Sequence, residues 1–164
     1  ESALDGLNKQ NVTVDELNKA SDLTRKKIIA DSHLANAEQL VIEEAQAAIA
    51  LVKRAITSYV DANFDSAHIS NVSVSLNTVR GGLYVLGYTR AAEIVKKCRE
   101  FVTAHVQDEN TGEQRHQLLE TLADGVISLE YYLMELENSR AVNEDILQVA
   151  EESLSALGFA VDPT

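Results

Sequence analysis

Four histidines, one cysteine and a pair of adjacent glycines are the residues of this chain with the most chemical potential, and their spacing decides what they could do. Metal sites in helical bundles need paired carboxylates and repeated Glu-x-x-His motifs on facing helices. The histidines are His33, His68, His105 and His116, and of these only His116 has a glutamate, Glu113, three residues before it. No two of them are spaced as His-x-x-x-His. A lone Glu113-Gln114-Arg115-His116 reads as the solvated first turn of a helix, so no metal and no cofactor are expected. Cys98 falls on an apolar helical line and should be a buried, inert thiol. Gly81-Gly82 lies inside a helical pattern and not ahead of one, so it cannot cradle a phosphate at a helix start. No catalytic residue is therefore expected.

The glycine pair still needs a reason, because each glycine inside a helix costs roughly 1 kcal/mol against alanine. Either a neighbouring helix approaches closely there, or the surface is kept low for another protein to dock. Counting by three and four, Asn77, Arg80, Gly81 and Tyr84 share one line beside the apolar seam Leu76, Val79 and Leu83. That line should reach solvent and is the candidate docking surface.

The elements that must hold these residues are helices. One proline, seven glycines and no tryptophan in 164 residues leave too little turn chemistry for a many-stranded fold, and the expected class is all-α. A hydrophobic content of 45% suits one core in a single domain. The formal net charge of −12 repels phosphate backbones and anionic lipid, so neither nucleic acid nor membrane is an expected partner. No run approaches the roughly 18 apolar residues of a spanning helix, and a single cysteine forms no disulfide framework, which fits a cytoplasmic setting. The chain opens on Glu1 with no signal segment and reads as a piece of a longer protein.

Residues 1–12 are polar and are expected to be a flexible segment, with residues 13–164 a single helical domain. Thr13-Val14-Asp15-Glu16 has the form of a capping box and should start a first helix running to Ile29. A second, over Ser32 to Ala62, carries Leu34, Ala37, Val41, Ala48, Val52, Ala55 and Tyr59 on one stripe. Asn63 to Ser66 supply a turn, and Ile69, Val72, Leu76, Val79, Leu83 and Leu86 form the seam of the next helix, which Gly87 should stop. Thr89 is placed to cap the following helix, with Ala91, Ile94, Val95, Cys98, Phe101, Val102 and Val106 on its apolar side. After a polar loop at Gln107–Gly112, a helix to Glu137 is lined by Leu118, Leu119, Leu122, Val126, Leu129, Leu133 and Leu136. Asn138 to Arg140 break it, and a last helix with Ile146, Val149, Ala150, Leu154 and Leu157 ends at Gly158-Phe159. Four helices within about 32–137 have the lengths and connections of an antiparallel bundle, with an outer helix at each end of the sequence packed on it.

The stretch Leu76 to Tyr88 resembles the signature of histidine phosphotransfer (HPt) domains, His-x-x-Lys-Gly followed by a small residue and then Leu-Gly-Leu. Arg80 stands at that family's lysine, Gly81 at its glycine and Leu86-Gly87 at its Leu-Gly, while Asn77 occupies the position of the phosphorylated histidine. Leu122 to Leu133, with Ile146 to Phe159 after it, is similar to the degenerate HPt-like modules of the chemotaxis-type hybrid sensor kinases of type IV pilus systems (ChpA/PilL type) and to the related FimL proteins. The resemblance implies a four-helix bundle of HPt type with additional N- and C-terminal helices, in a cytoplasmic two-component kinase controlling twitching motility. It also implies a non-catalytic interaction or spacer module, because the delocalised lone pair of an amide nitrogen cannot form the phosphoramidate. The partners it implies are a response-regulator receiver domain or other domains of the parent kinase.

Two other readings stay open beside this one. The domain transfers phosphoryl groups through His68, His105 or His116 outside the usual motif, or it is a stand-alone helical adaptor like FimL. An adaptor would bind through an apolar groove, with Tyr84, Tyr88, Tyr131 and Tyr132 as possible anchors, although tyrosines at helical spacing commonly place their rings in the core. The paired glutamates Glu43-Glu44, Glu135/Glu137 and Glu151-Glu152 read as solvated helix faces.

Overall fold

Residues 7–61 contain neither glycine nor proline to stop a helix. In the computed structural model a single helix, α1, accordingly runs from Ser2 to Asp61. The structure describes residues 2–105, 112–138 and 141–162, with side chains from residue 13 onward. The expected loop at 107–112 and the break at 138–140 lie largely outside those residues. The separate outer helix expected at the N-terminus is absent, because Ala30-Asp31-Ser32 continues α1. Residues 2–12 are helical in backbone, so the capping box at Thr13 is interior to α1, where it starts nothing.

The chain divides into two units, residues 1–38 and 39–164, and α1 contributes to both. In the first unit Val14, Leu17, Leu23, Ile28, Ile29 and Leu34 are all exposed. In the second, Ile42, Ala45, Ile49, Val52, Ile56 and Tyr59 are buried, at alternating spacings of three and four. The expected stripe is thus corrected on two counts. Leu34 and Ala37 are solvent-facing, and the seam below them is centred on Ile42, Ile49 and Ile56, beside the line through Val41 and Ala55.

Helix α1 ends in two non-glycine residues of positive φ, Asn63 at 55° and Phe64 at 65°. Phe64 N–H donates to the Tyr59 carbonyl and Asn63 N–H to that of Val60, which satisfies carbonyls otherwise orphaned at a helix end. The Phe64 ring lies edge-on to Tyr59, at 5.5 Å between centroids, and under the Arg115 guanidinium. Asp65 then caps a short 3-10 turn, Ser66–His68, by accepting from Ala67 N–H.

Helices α2 (Val72–Val85) and α3 (Thr89–His105) reverse direction about Gly87, whose φ of +86° suits glycine. Tyr88 N–H reaches the Leu83 carbonyl across that turn. Thr89 is the first residue of α3 and not its cap, since Ala92 N–H donates to the Tyr88 carbonyl. Helices α4 (Gly112–Asn138) and α5 (Ile146–Ala156) pair closely, and the buried Ser128 hydroxyl donates to the Ile146 carbonyl between them. Gly158 at φ +87° closes α5, with Phe159 N–H bonded to the Leu154 carbonyl, as the glycine signal predicts.

These helices form an all-α bundle around one core that runs from Ile42 to Leu157. Polar ties fix its register at the surface: Lys53 pairs with Glu130 at 2.8 Å, Gln46 donates to Glu137 and to the Leu133 carbonyl, and Arg90 pairs with Glu151 and Glu144. The described residues contain no strand and no helix long and apolar enough to cross a membrane.

Candidate functional site

Helix α2 buries Val72, Leu76, Val79 and Leu83, so its opposite side faces solvent. Asn77, Gly81 and Tyr84 are exposed on that side, and Arg80 is half-buried beside them. All four predicted docking residues therefore share one accessible face. The structure adds residues from α3 that no local pattern marks. Arg99 donates through Nε to the Ser73 hydroxyl at 3.1 Å and lies 3.5 Å from Asn77 Oδ1. Beside it opens a groove of about 430 Å³ lined by Arg80, Lys96, Arg99, Glu100, Thr103 and Ala104. Glu100 is engaged by Lys97 at 3.1 Å and Lys96 by Glu93 at 4.0 Å, so Arg80 and Arg99 are the lining cations outside these pairs, on a chain of net charge −12.

Nothing lining this groove is an imidazole. His68 sits in the 3-10 turn, His105 stacks on Phe101 at 4.5 Å, and His116 faces Glu120 along α4 at 3.4 Å. The nearby Thr78 hydroxyl donates back to the Val74 carbonyl of its own helix. Cys98 is fully buried, and burial pushes its thiol up to about 12. No three His, Cys, Asp or Glu side chains cluster as a metal site among the described residues. The face offers cations and hydrogen-bond donors.

The two glycines differ in their surroundings. A Cβ on Gly82 would stand 2.9 Å from Val41 Cγ1, so that glycine admits α1 against α2. A Cβ on Gly81 would meet nothing within 4 Å. Gly81→Ala should therefore raise unfolding free energy by roughly 0.5–1 kcal/mol, the ordinary helix preference. Gly82→Ala should lose that gain to overpacking against the stiff, β-branched Val41, and Val41→Ala in the same chain should restore it. Urea unfolding of the three variants checks this, and equal gains at both glycines would refute the close approach.

The FimL C-terminal domain family matches residues 32–154. The scaffold protein FimL of Pseudomonas aeruginosa is 45% identical over 129 residues, which cover 78% of this chain and 23% of that protein. The chain thus spans about a quarter of the length of this relative. No solved structure matches it.

Proposed function

The chain belongs to the FimL C-terminal domain family, and on that premise we propose that it is a non-catalytic adaptor module that contacts other proteins through the exposed face of α2 and the adjoining edge of α3. The observation that carries this reading is the Asn77 amide at the centre of the face, in the place where the phosphotransfer signature has its histidine. The amide carbonyl accepts from Arg99 and has no free lone pair on nitrogen to offer a phosphoryl group. Arg80, Lys96 and Arg99 suit the acidic phosphoacceptor face of a receiver domain, contacted without transfer. The function in this reading is docking in type IV pilus signalling, in parallel with the scaffold named for the Pseudomonas relative. It accounts for Gly81 as well, since a side chain there would stand between Asn77 and a partner.

Incubation with a phosphorylated cognate receiver tests the proposal. The expected result is binding that Arg80→Glu and Arg99→Glu each weaken at least tenfold, with no acid-labile phosphoryl group on the domain. Its appearance on the natural sequence would overturn the non-catalytic reading and point to His68, His105 or His116. Asn77→His should gain the label. Failure of that gain, with binding intact, would remove the likeness to phosphotransfer domains and leave the adaptor standing.

A further inference from the structure

A second surface, on α4 and α5, is apolar, open and independent of the Asn77 face. Helix α4 presents Ile127, Tyr131 and Met134 at spacings of four and three, and each is exposed although α4 is otherwise a core helix. Tyr131 is 57% exposed, and Val149 of α5, at 52%, stands across from it. Between them runs a groove of about 510 Å³ with Ile127, Tyr131, Ile146 and Val149 in its walls. A second hollow of about 300 Å³ continues on the other side of Ile127 and Tyr131, toward Lys53 and Met134. Tyr131 and Val149 each leave more than half of their surface exposed, and an apolar strip of this kind on a helix pair is a common seat of a third helix.

The rim says which kind of helix. Asp124, Glu135 and Glu152 border the groove, and Asp124 and Glu135 have no cationic partner among the described residues. Lys53, which lines the neighbouring hollow, is engaged by Glu130 at 2.8 Å. Asp124 to Glu135 spans about 16 Å of helix at 1.5 Å per residue, which matches about three turns of a docked helix. A second copy of this chain is a poor occupant, because each copy brings a net charge of −12 and the same acidic rim.

We infer that the α4/α5 groove binds an amphipathic helix of another protein, with an apolar i, i+3, i+4, i+7 stripe seated on Ile127, Tyr131 and Val149 and flanking lysines or arginines set against Asp124, Glu135 and Glu152. The domain then has two docking faces of opposite charge preference, a basic one on α2/α3 and an acidic-rimmed apolar one on α4/α5. This surface does not depend on the phosphotransfer likeness of the first.

Methyl-resolved NMR titration of the whole chain tests it. The probe is a synthetic sixteen-residue amidated helix with leucines on that stripe and lysines beside it. The controls are the same helix with glutamates for lysines, and a scrambled version. The expected result is that the lysine peptide shifts the methyls of Ile127, Met134 and Val149, that both controls leave them in place, and that Asp124→Lys with Glu135→Lys weakens binding at least tenfold. Because the altered side chains are exposed, unchanged far-UV circular dichroism will separate lost binding from lost folding. No shift, equal shifts with the glutamate or scrambled peptide, or shifts confined to α2 and α3 would each overturn the inference. So would concentration-dependent dimerisation of the chain through Tyr131 and Val149.

Discussion

Tyr132→Ala is expected to remove about 3–5 kcal/mol of unfolding free energy, while Tyr131→Ala, one residue away, changes it by less than about 0.5 kcal/mol. The two rings are adjacent in sequence and about 100° apart around α4, and that angle decides everything. Tyr132 is 1% exposed and Tyr131 57%. The Tyr132 ring meets Tyr88 edge-on at 6.4 Å between centroids, and truncation would leave a cavity in the core to which Leu129, Leu133 and Leu136 also belong. Burial, helped by the carboxylate of Glu144, pushes its hydroxyl up to about 12, so the ring stays neutral at any physiological pH. Tyr132→Phe keeps the packing and should cost far less than the alanine change. Urea unfolding followed by far-UV circular dichroism measures all three, and a cost for Tyr132→Ala below about 1 kcal/mol would contradict the packing described. If the α4/α5 groove binds as inferred, Tyr131→Ala reverses the ranking in a binding assay, where it loses affinity and Tyr132→Phe does not.

How much of this was legible in the sequence varies by helix, for physical reasons. In α2 and α3 the seams read from Ile69 to Leu83 and from Ala91 to Val102 are buried, whereas Leu86, read as the end of the first, is only half-buried and Val74 and Val85 are exposed off it. In α4 the line from Leu119 to Leu136 is right, but periodicity alone could not separate Tyr132, which belongs to it, from Tyr131, which does not. Helix α1 misled because a helix with exposed apolar residues has the composition of a buried one. Leu34 and Ala37 continue the spacing of Val41 and Val52 although both are exposed, and only burial reveals where the core begins. In α5 the predicted Val149 is exposed and Leu147, unmarked, is fully buried.

The candidate site shows the same division. A single helix fixes the angular positions of Asn77, Arg80, Gly81 and Tyr84, so three-and-four counting sufficed. Arg99 and Lys96 join the face only through the register of α3 on α2, set by the Gly87 turn and the packing of Cys98 and Val95 behind it. One available signal was the excess of cations, Arg80, Lys96 and Arg99, on neighbouring helices of a strongly acidic chain. Gly81 and Gly82 could not be told apart from sequence, because the distinction lies in Val41, some forty residues earlier.

Raising the pH should expose the other large effect, centred on Cys98. In the unfolded chain its thiol titrates near 9.0, and in the folded chain burial holds the proton up to about 12. Below pH 9 both states keep the proton and stability is independent of it. Between pH 9 and 12 the unfolded state has lost the proton that the folded state retains, so unfolding free energy falls with pH, by up to about 1.4 kcal/mol per pH unit. The loss accumulated by pH 12 is on the order of 4 kcal/mol. Tyr132, raised from 10.0 to about 12, pulls the same way over the upper part of that window. Cys98→Ala removes the titrating group, so its stability should decline more shallowly than the natural chain's from pH 9 upward, after a cost near 1 kcal/mol at neutral pH for the lost sulfur. Urea midpoints taken at intervals from pH 7 to 11 would show the two curves converging above pH 9 and crossing near pH 10. Parallel curves would mean that the thiol is not withheld from solvent. Labelling by a disulfide reagent at pH 8 supplies an independent check: the native thiol should react only as fast as the bundle opens, far more slowly than in urea. A thiol so placed holds α3 against the core behind Arg99 and takes no part in the chemistry of the face it supports.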